Sequence, residues 1–197
     1  NLWTWGCTRE HVDVKPHLSL SGDGVITALH ESLGDFALHF AAASDGTTPS
    51  ALFTENETNN QRLFQSPNAS PFVKDAFHRY VVNGETAAVN PAQTGTKSAL
   101  HYILAVPAGG EVSVDLQLFP PAQSKPLAFG SAFSGEFDRS KREADDFYSC
   151  VIPTGATPDE RNVIRQGYAG LLWSKQFYYY VVDHWLWGDP NTPPPPE

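Results

Sequence analysis

The sequence has no methionine, two cysteines (Cys7 and Cys150), and 13 lysines and arginines against 22 aspartates and glutamates. Each shortage excludes something. Two cysteines so far apart cannot form a disulfide framework or a zinc site, and two free thiols are the simplest reading. A net charge of −9 with a pI near 5.1 argues against nucleic acid or an anionic membrane as a partner, whereas neutral sugars remain compatible with it. No apolar run approaches the ~20 residues of a membrane span, and no signal peptide opens the chain, which says little about compartment when the first residue is not Met; a cytoplasmic protein is the expectation. With Asn1 first and no methionine, the sequence reads as a piece of a longer protein. Phosphate loops, dinucleotide fingerprints, nucleophile elbows, HExxH and CxxC are all missing, and nucleophilic catalysis has no support.

What is present is globular: 41% hydrophobic and 12% aromatic residues exceed what a disordered acidic chain carries. Up to residue 120, short apolar runs alternate with turn clusters, the pattern of an antiparallel β-sandwich. Strands are expected near His17–Leu20, Val25–His30, Phe36–Ala42, Ala51–Phe53, Phe77–Val82, Ser98–Val106 and Val112–Phe119. The joints, such as Ser21-Gly22-Asp23-Gly24 and Ala108-Gly109-Gly110, are rich in residues that tolerate positive φ. The run Leu100 to Val106 is apolar on both sides and reads as a central strand. The opening NLWTWG reads as a strand inside a sheet. Thr54 to Asp75 is a long polar connection, and such loops tend to be functional. Its Glu55 and Glu57, with Asn56, Asn59 and Asn60, offer oxygens to a calcium ion or to sugar hydroxyls. The simpler reading is a solvated loop held by Asx turns. The loop also holds two glycosylation sequons, at Asn56 and Asn68, of a kind that arises often by chance. The scattered histidines His17, His30, His39, His78 and His101 fall singly on sheet faces.

Pro120 to Gly135 is a Pro-, Ser-, Gly- and Ala-rich linker, and Glu136 to Tyr148 a short charged helix. One long helix then starts at a capping box, Thr157 with Glu160 and Pro158, and stops at Gly188 before Pro190. At ~1.5 Å per residue it would be roughly 45 Å long. One side carries Ile164, Tyr168, Leu171, Leu172, Lys175, Tyr178, Tyr179, Val182 and Leu186 at the helical period, a core stripe. The other carries Trp173, Gln176 and Tyr180, where a surface helix would be charged. Lys175 within the stripe must snorkel or find a carboxylate. A flat ring, an amide and a phenol at that spacing suit a carbohydrate pocket, although core packing is the commoner fate of such residues. Trp173, Lys175, Gln176 and Tyr180 are the candidate substrate-binding residues; none is a candidate catalyst.

The strings LLWSKQFYYY…HWLWGDP…PPPP, LFTENETNNQRLF, PFVKDAFHRYVVNG, AVNPAQTGTKSALHY, VPAGGEVSVDL and EADDFY resemble, in that order, a bacterial and fungal branch of glycoside hydrolase family 63. That branch is related to mannosyl-oligosaccharide glucosidase and mannosylglycerate hydrolase. The resemblance covers nearly the whole chain, except that Val181 stands where an aspartate is expected. It implies a β-sandwich joined by a helical linker to an (α/α)6 barrel. Residues 1–120 would be the later part of the sandwich, with earlier strands missing, 121–156 the linker and 157–197 the first barrel helix. The implied reaction is inverting hydrolysis of an α-glycosidic bond by two carboxyl groups. Both would lie in barrel segments beyond Glu197, and nothing marks Asp159, Glu160 or Asp183 as that pair. The implied partners are carbohydrate and the remainder of the catalytic domain. A different class of reading is a self-sufficient β-sandwich module that binds carbohydrate or a protein without catalysis.

Overall fold

The computed structural model describes residues 15–22, 24–31, 33–122 and 124–175, together with Val182 and Leu186. The expected NLWTWG strand, Cys7 and the Gly188 stop lie outside the described residues. The chain is mixed α and β with antiparallel sheets and divides into two compact units, Asn1–Pro126 and Leu127–Glu197.

In the first unit, β1 (His17–Leu20), β2 (Val25–His30) and β3 (Gly34–Phe40) form a meander, and the strand order of its sheet is β5-β1-β2-β3-β7, with β5 at Thr94–Gly95 and β7 at Leu116–Phe119. Glycines permit the turns: Gly22 and Gly24 have φ of 64° and 83° before β2, and Gly34, the first residue of β3, has 80°, values that a Cβ disfavours. The register places Leu20 opposite Ile26, Ile26 opposite Leu38, and Leu38 opposite Leu118, so one apolar row crosses four strands. Its centre, Ile26, is 2% exposed and its edge, Leu118, is 66% exposed. On the opposite face Ser19 and Thr27 pair hydroxyls at 2.9 Å, and His39 meets Phe119 edge-on at 5.1 Å.

A second sheet consists of β4 (Ser50–Thr54) and β6 (Lys97–His101), antiparallel in register from Ser50–His101 to Thr54–Lys97. Leu52, Phe53 and Thr54 are all buried, and three consecutive buried residues mean that β4 is covered on both faces. The Thr54 hydroxyl donates to the Val73 carbonyl at 2.8 Å. Between the strands, α1 (Asn60–Phe64), α2 (Ala76–Asn83) and a 3-10 turn at Thr86–Ala88 supply the remaining structure.

Several expectations are corrected here. Phe77–Val82 is not a strand but lies within α2. Its β-branched and aromatic residues suggest a strand, yet Phe77, Tyr80 and Val81 recur at helical spacing. Gly84 ends the helix at φ 70°, its N–H donating to the Arg79 carbonyl, and the Arg79–Glu85 ion pair at 2.6 Å fastens that end. The strand expected over Ser98–Val106 ends at His101, and the one expected over Val112–Phe119 begins at Leu116. In each case the ladder stops where its partner does, at Ser50 and at Phe40. Beyond β6, the Tyr102 hydroxyl donates to the Ala41 carbonyl at 2.6 Å, and burial raises its pKa above the usual 10.0. The strand containing Leu100 pairs with β4 alone among the described residues, so it is not central.

The second unit contains α3 (Ser131–Val151) and α4 (Pro158–Ser174). α3 takes in the last part of the expected linker, because Gly130 at φ 106° turns the chain and its carbonyl accepts from Ser134. α4 starts as expected: Thr157 Oγ1 accepts from the Glu160 N–H, and the Glu160 carboxylate accepts from the Thr157 N–H at 2.8 Å. Arg165 pairs with Asp145 and lies 4.7 Å from the Tyr148 ring, and Tyr148 in turn meets Tyr168 at 6.5 Å, so these residues join the two helices. The long helix expected to run unbroken to Gly188 is interrupted: α4 ends at Ser174, and Lys175 caps it in an extended conformation, φ −69° and ψ 99°. Helical backbone is present again at Val182 and Leu186. Among the described residues no helix is long and apolar enough to cross a membrane.

Candidate functional site

The residues singled out in the sequence fall at the end of α4. Trp173 is 88% exposed and Lys175 is exposed at the cap, so that lysine has no buried charge to neutralise. Gln176 and Tyr180 lie outside the described residues. Of the expected core stripe, Ile164 is half-buried and Tyr168 touches Tyr148, whereas Leu171 and Leu172 are exposed. No residue of α4 is fully buried.

The polar connection after β4 spends its oxygens on the protein. Glu55 accepts from the Thr96 hydroxyl at 2.8 Å, while Glu57 turns to an ion pair with Lys15. Asn59 caps α1 through the Arg62 N–H, accepts from the Asn68 amide at 3.0 Å and donates to both Asp75 oxygens at 3.0 and 3.2 Å. Glu55 and Glu57 line one small cleft together with Lys15 and Thr96, and each accepts from a protein donor there. Among the described residues no three His, Cys, Asp or Glu side chains are grouped to hold a metal.

A concave site does exist in the first unit, where the two sheets come together. It is a groove of about 820 Å³, open to solvent, in the range usual for small-molecule sites. One wall is the Gly22–Gly24 turn with Leu20 and Phe40. The other is the approach to β4 from Thr48 to Leu52, and Tyr80 of α2 and the segment from Thr86 to Gln93 complete it.

The segment Asn90–Gln93 is held rigidly. The Asn90 N–H donates to the Phe53 carbonyl at 2.8 Å, tying the loop to β4. The Asn90 side chain donates to the Thr94 carbonyl at 2.7 Å and accepts from the Ala92 N–H at 3.0 Å, an Asx turn. The Gln93 carbonyl accepts from the Leu20 N–H at 3.1 Å, which ties the same loop to β1. Gln93 has φ 56°, a left-handed conformation uncommon for a residue with a Cβ. Tyr80 is set by an edge-on contact with His101 at 6.0 Å. Among the described residues, none of the side chains lining the groove bears a formal charge. Asp23, between the two turn glycines, lies outside the described residues.

The sequence reading missed this groove. Asn90-Pro91 was the available signal, since Asn-Pro marks a turn, but nothing local shows that two sheets meet beside it.

No family model matches the chain, and no solved structure matches it. Over an alignment of 223 residues it is 34% identical to YMR196W, an uncharacterized protein of Saccharomyces cerevisiae. The match takes in all of this chain and 20% of that protein, so the chain spans about a fifth of the length of the curated relative it matches.

Proposed function

We propose that this chain is a non-catalytic portion of a glycoside hydrolase of the family 63 type, which hydrolyses α-glycosidic bonds with inversion and acts on α-glucosides or related oligosaccharides. In this reading the first unit is the later part of a β-sandwich, the segment up to residue 156 is the linker, and α4 opens an (α/α)6 barrel. The strings spread along the chain support it, as does the order of sheets followed by helices. The observation that carries it is the end of α4. Leu171, Leu172 and Trp173 are 71%, 63% and 88% exposed on a helix whose start is fully capped. With Tyr168, the two leucines form an exposed ridge at i, i+3 and i+4, and Trp173 is exposed on the other side of the helix. Apolar surface on both sides suits packing against further helices, and the matched yeast protein is about five times longer than its match with this chain.

The catalytic acid and base would then come from other segments of the longer protein, with carbohydrate as its substrate and this helix as one stave of its barrel. Exposed, unpaired Cys150 fits a reducing compartment, so we place the enzyme in the cytoplasm.

The test is to express the full-length gene product and incubate it with α-linked gluco- and manno-oligosaccharides, following the released sugar by proton NMR. The expected first product is the β-anomer, and the 197-residue chain by itself is expected to turn over none of them. Release of the α-anomer first, or no hydrolysis of any α-linked substrate, overturns the proposal.

A further inference from the structure

We infer that the groove between the two sheets of the first unit is a binding site for a neutral saccharide. The inference goes beyond the proposed hydrolase role and does not depend on it, because holding a sugar requires no hydrolysis.

The chemistry of the lining selects the ligand class. The described lining residues include no lysine, arginine or histidine, so a phosphate or carboxylate would enter without a counter-charge, and burying an unpaired charge is costly. A purely apolar ligand fits no better, because it would strip water from Thr48, Ser50, Thr86 and Gln93 without replacing their hydrogen bonds. What remains is a neutral molecule with apolar faces and many hydroxyls. Phe40 and Tyr80 supply aromatic surface for the C–H face of a pyranose. The hydroxyl and amide side chains supply donors and acceptors for its hydroxyl groups.

The groove is also preorganised. Its Asn90–Gln93 wall is bonded to β4 at one end and β1 at the other, so little further ordering accompanies binding. Gln93 in its left-handed conformation is the clearest departure from ordinary backbone preference along this wall. Glycine would hold that conformation without strain, whereas here a glutamine side chain occupies it.

The experiment uses the 197-residue chain, isotope-labelled, with maltose and maltotriose as neutral probes and glucuronic acid and glucosamine as charged counterparts. Saturable amide shifts confined to the groove are expected with the neutral probes and not with the charged ones. Gln93→Gly removes the amide while favouring the observed backbone, and it is expected to weaken binding about fivefold, the loss of one hydrogen bond. Thr48→Trp fills the open side and is expected to abolish binding. Lys141→Ala, at an exposed position of α3, is expected to leave the affinity unchanged. No saturable shift with either neutral probe overturns the inference. So do unaltered affinities in both groove variants, equal binding of the charged sugars, or saturable shifts confined to α3 and α4, which would move the sugar to the second unit. None of these readouts involves hydrolysis, so the two proposals can fail separately.

Discussion

A Cβ added to Gly95 would lie 2.4 Å from the carbonyl oxygen of Thr54 and 3.0 Å from its carbonyl carbon. The two sheets of the first unit come together here: Gly95 pairs with Leu18 of β1, and the next residue, Thr96, donates its N–H to the same Thr54 carbonyl at 3.1 Å. The obstacle is backbone, which cannot swing aside as a flexible side chain can. Gly95→Ala is therefore expected to destabilise the chain by about 1–3 kcal/mol, the usual cost of overpacking, read from urea unfolding followed by circular dichroism. A loss within about 0.5 kcal/mol, that of an ordinary surface change, would show that the sheets are not held so closely.

The neighbouring Thr54 side chain gives a second test. Its hydroxyl is buried and donates to the Val73 carbonyl, which also accepts from the Ala76 N–H at 2.8 Å. Thr54→Val keeps the shape and removes the donor. Because Val73 retains one partner, the expected cost is about 1 kcal/mol rather than the roughly 3 kcal/mol of an orphaned group. Unfolding midpoints of the two proteins decide between these values.

The pattern of legibility follows from which forces are local. The β1–β2–β3 meander was readable because its glycine turns and alternating runs are written within the 24 residues from His17 to Phe40. The α4 start was readable because Thr157, Pro158 and Glu160 make a cap by themselves. α2 was misread because β-propensity reflects fit to a pleated surface, and α2 packs in part against β4, which is distant in sequence. Strand lengths were overestimated since each ends with its partner, which no single run reveals. The groove was invisible for the same reason: Leu20, Phe40, Leu52, Tyr80 and Gln93 come from five separate segments. At the candidate residues, periodicity identified Trp173 as a position on a helix but carried the helix past Lys175, which is its extended cap.

Acid should loosen the α4 start. The Glu160 carboxylate is held below the usual glutamate value of 4.5, first by the Thr157 N–H and then by the Thr157 hydroxyl. A carboxyl group whose folded pKa is depressed adds stability that is present above its unfolded value and lost as pH falls through its folded value. The capping contribution should therefore be intact at neutral pH and fade below about pH 4.5. Glu160→Gln keeps an acceptor but cannot titrate, so its thermal midpoint should lie below that of wild type at pH 7, and the gap should narrow as pH falls below 4.5. Parallel curves for the two proteins would remove Glu160 from the acid response.

The exposed ridge of α4 carries the last expectation. Tyr168, Leu171 and Leu172 lie at i, i+3 and i+4 and are exposed on a helix with no fully buried residue, and contiguous exposed apolar surface drives association. The 197-residue chain should thus self-associate with rising concentration in sedimentation-velocity runs, at moderate salt where a net charge of −9 is screened beyond about 10 Å. Leu171→Gln with Leu172→Gln exchanges two exposed leucines for a side chain of similar helix propensity, so helical circular dichroism should be unchanged. The double variant should sediment as a monomer at concentrations where the parent chain does not. If both proteins associate equally, the ridge is not the sticky surface and the packing role proposed for α4 loses its support. If neither does, the ridge is tolerated by water and the argument for missing neighbouring helices weakens with it.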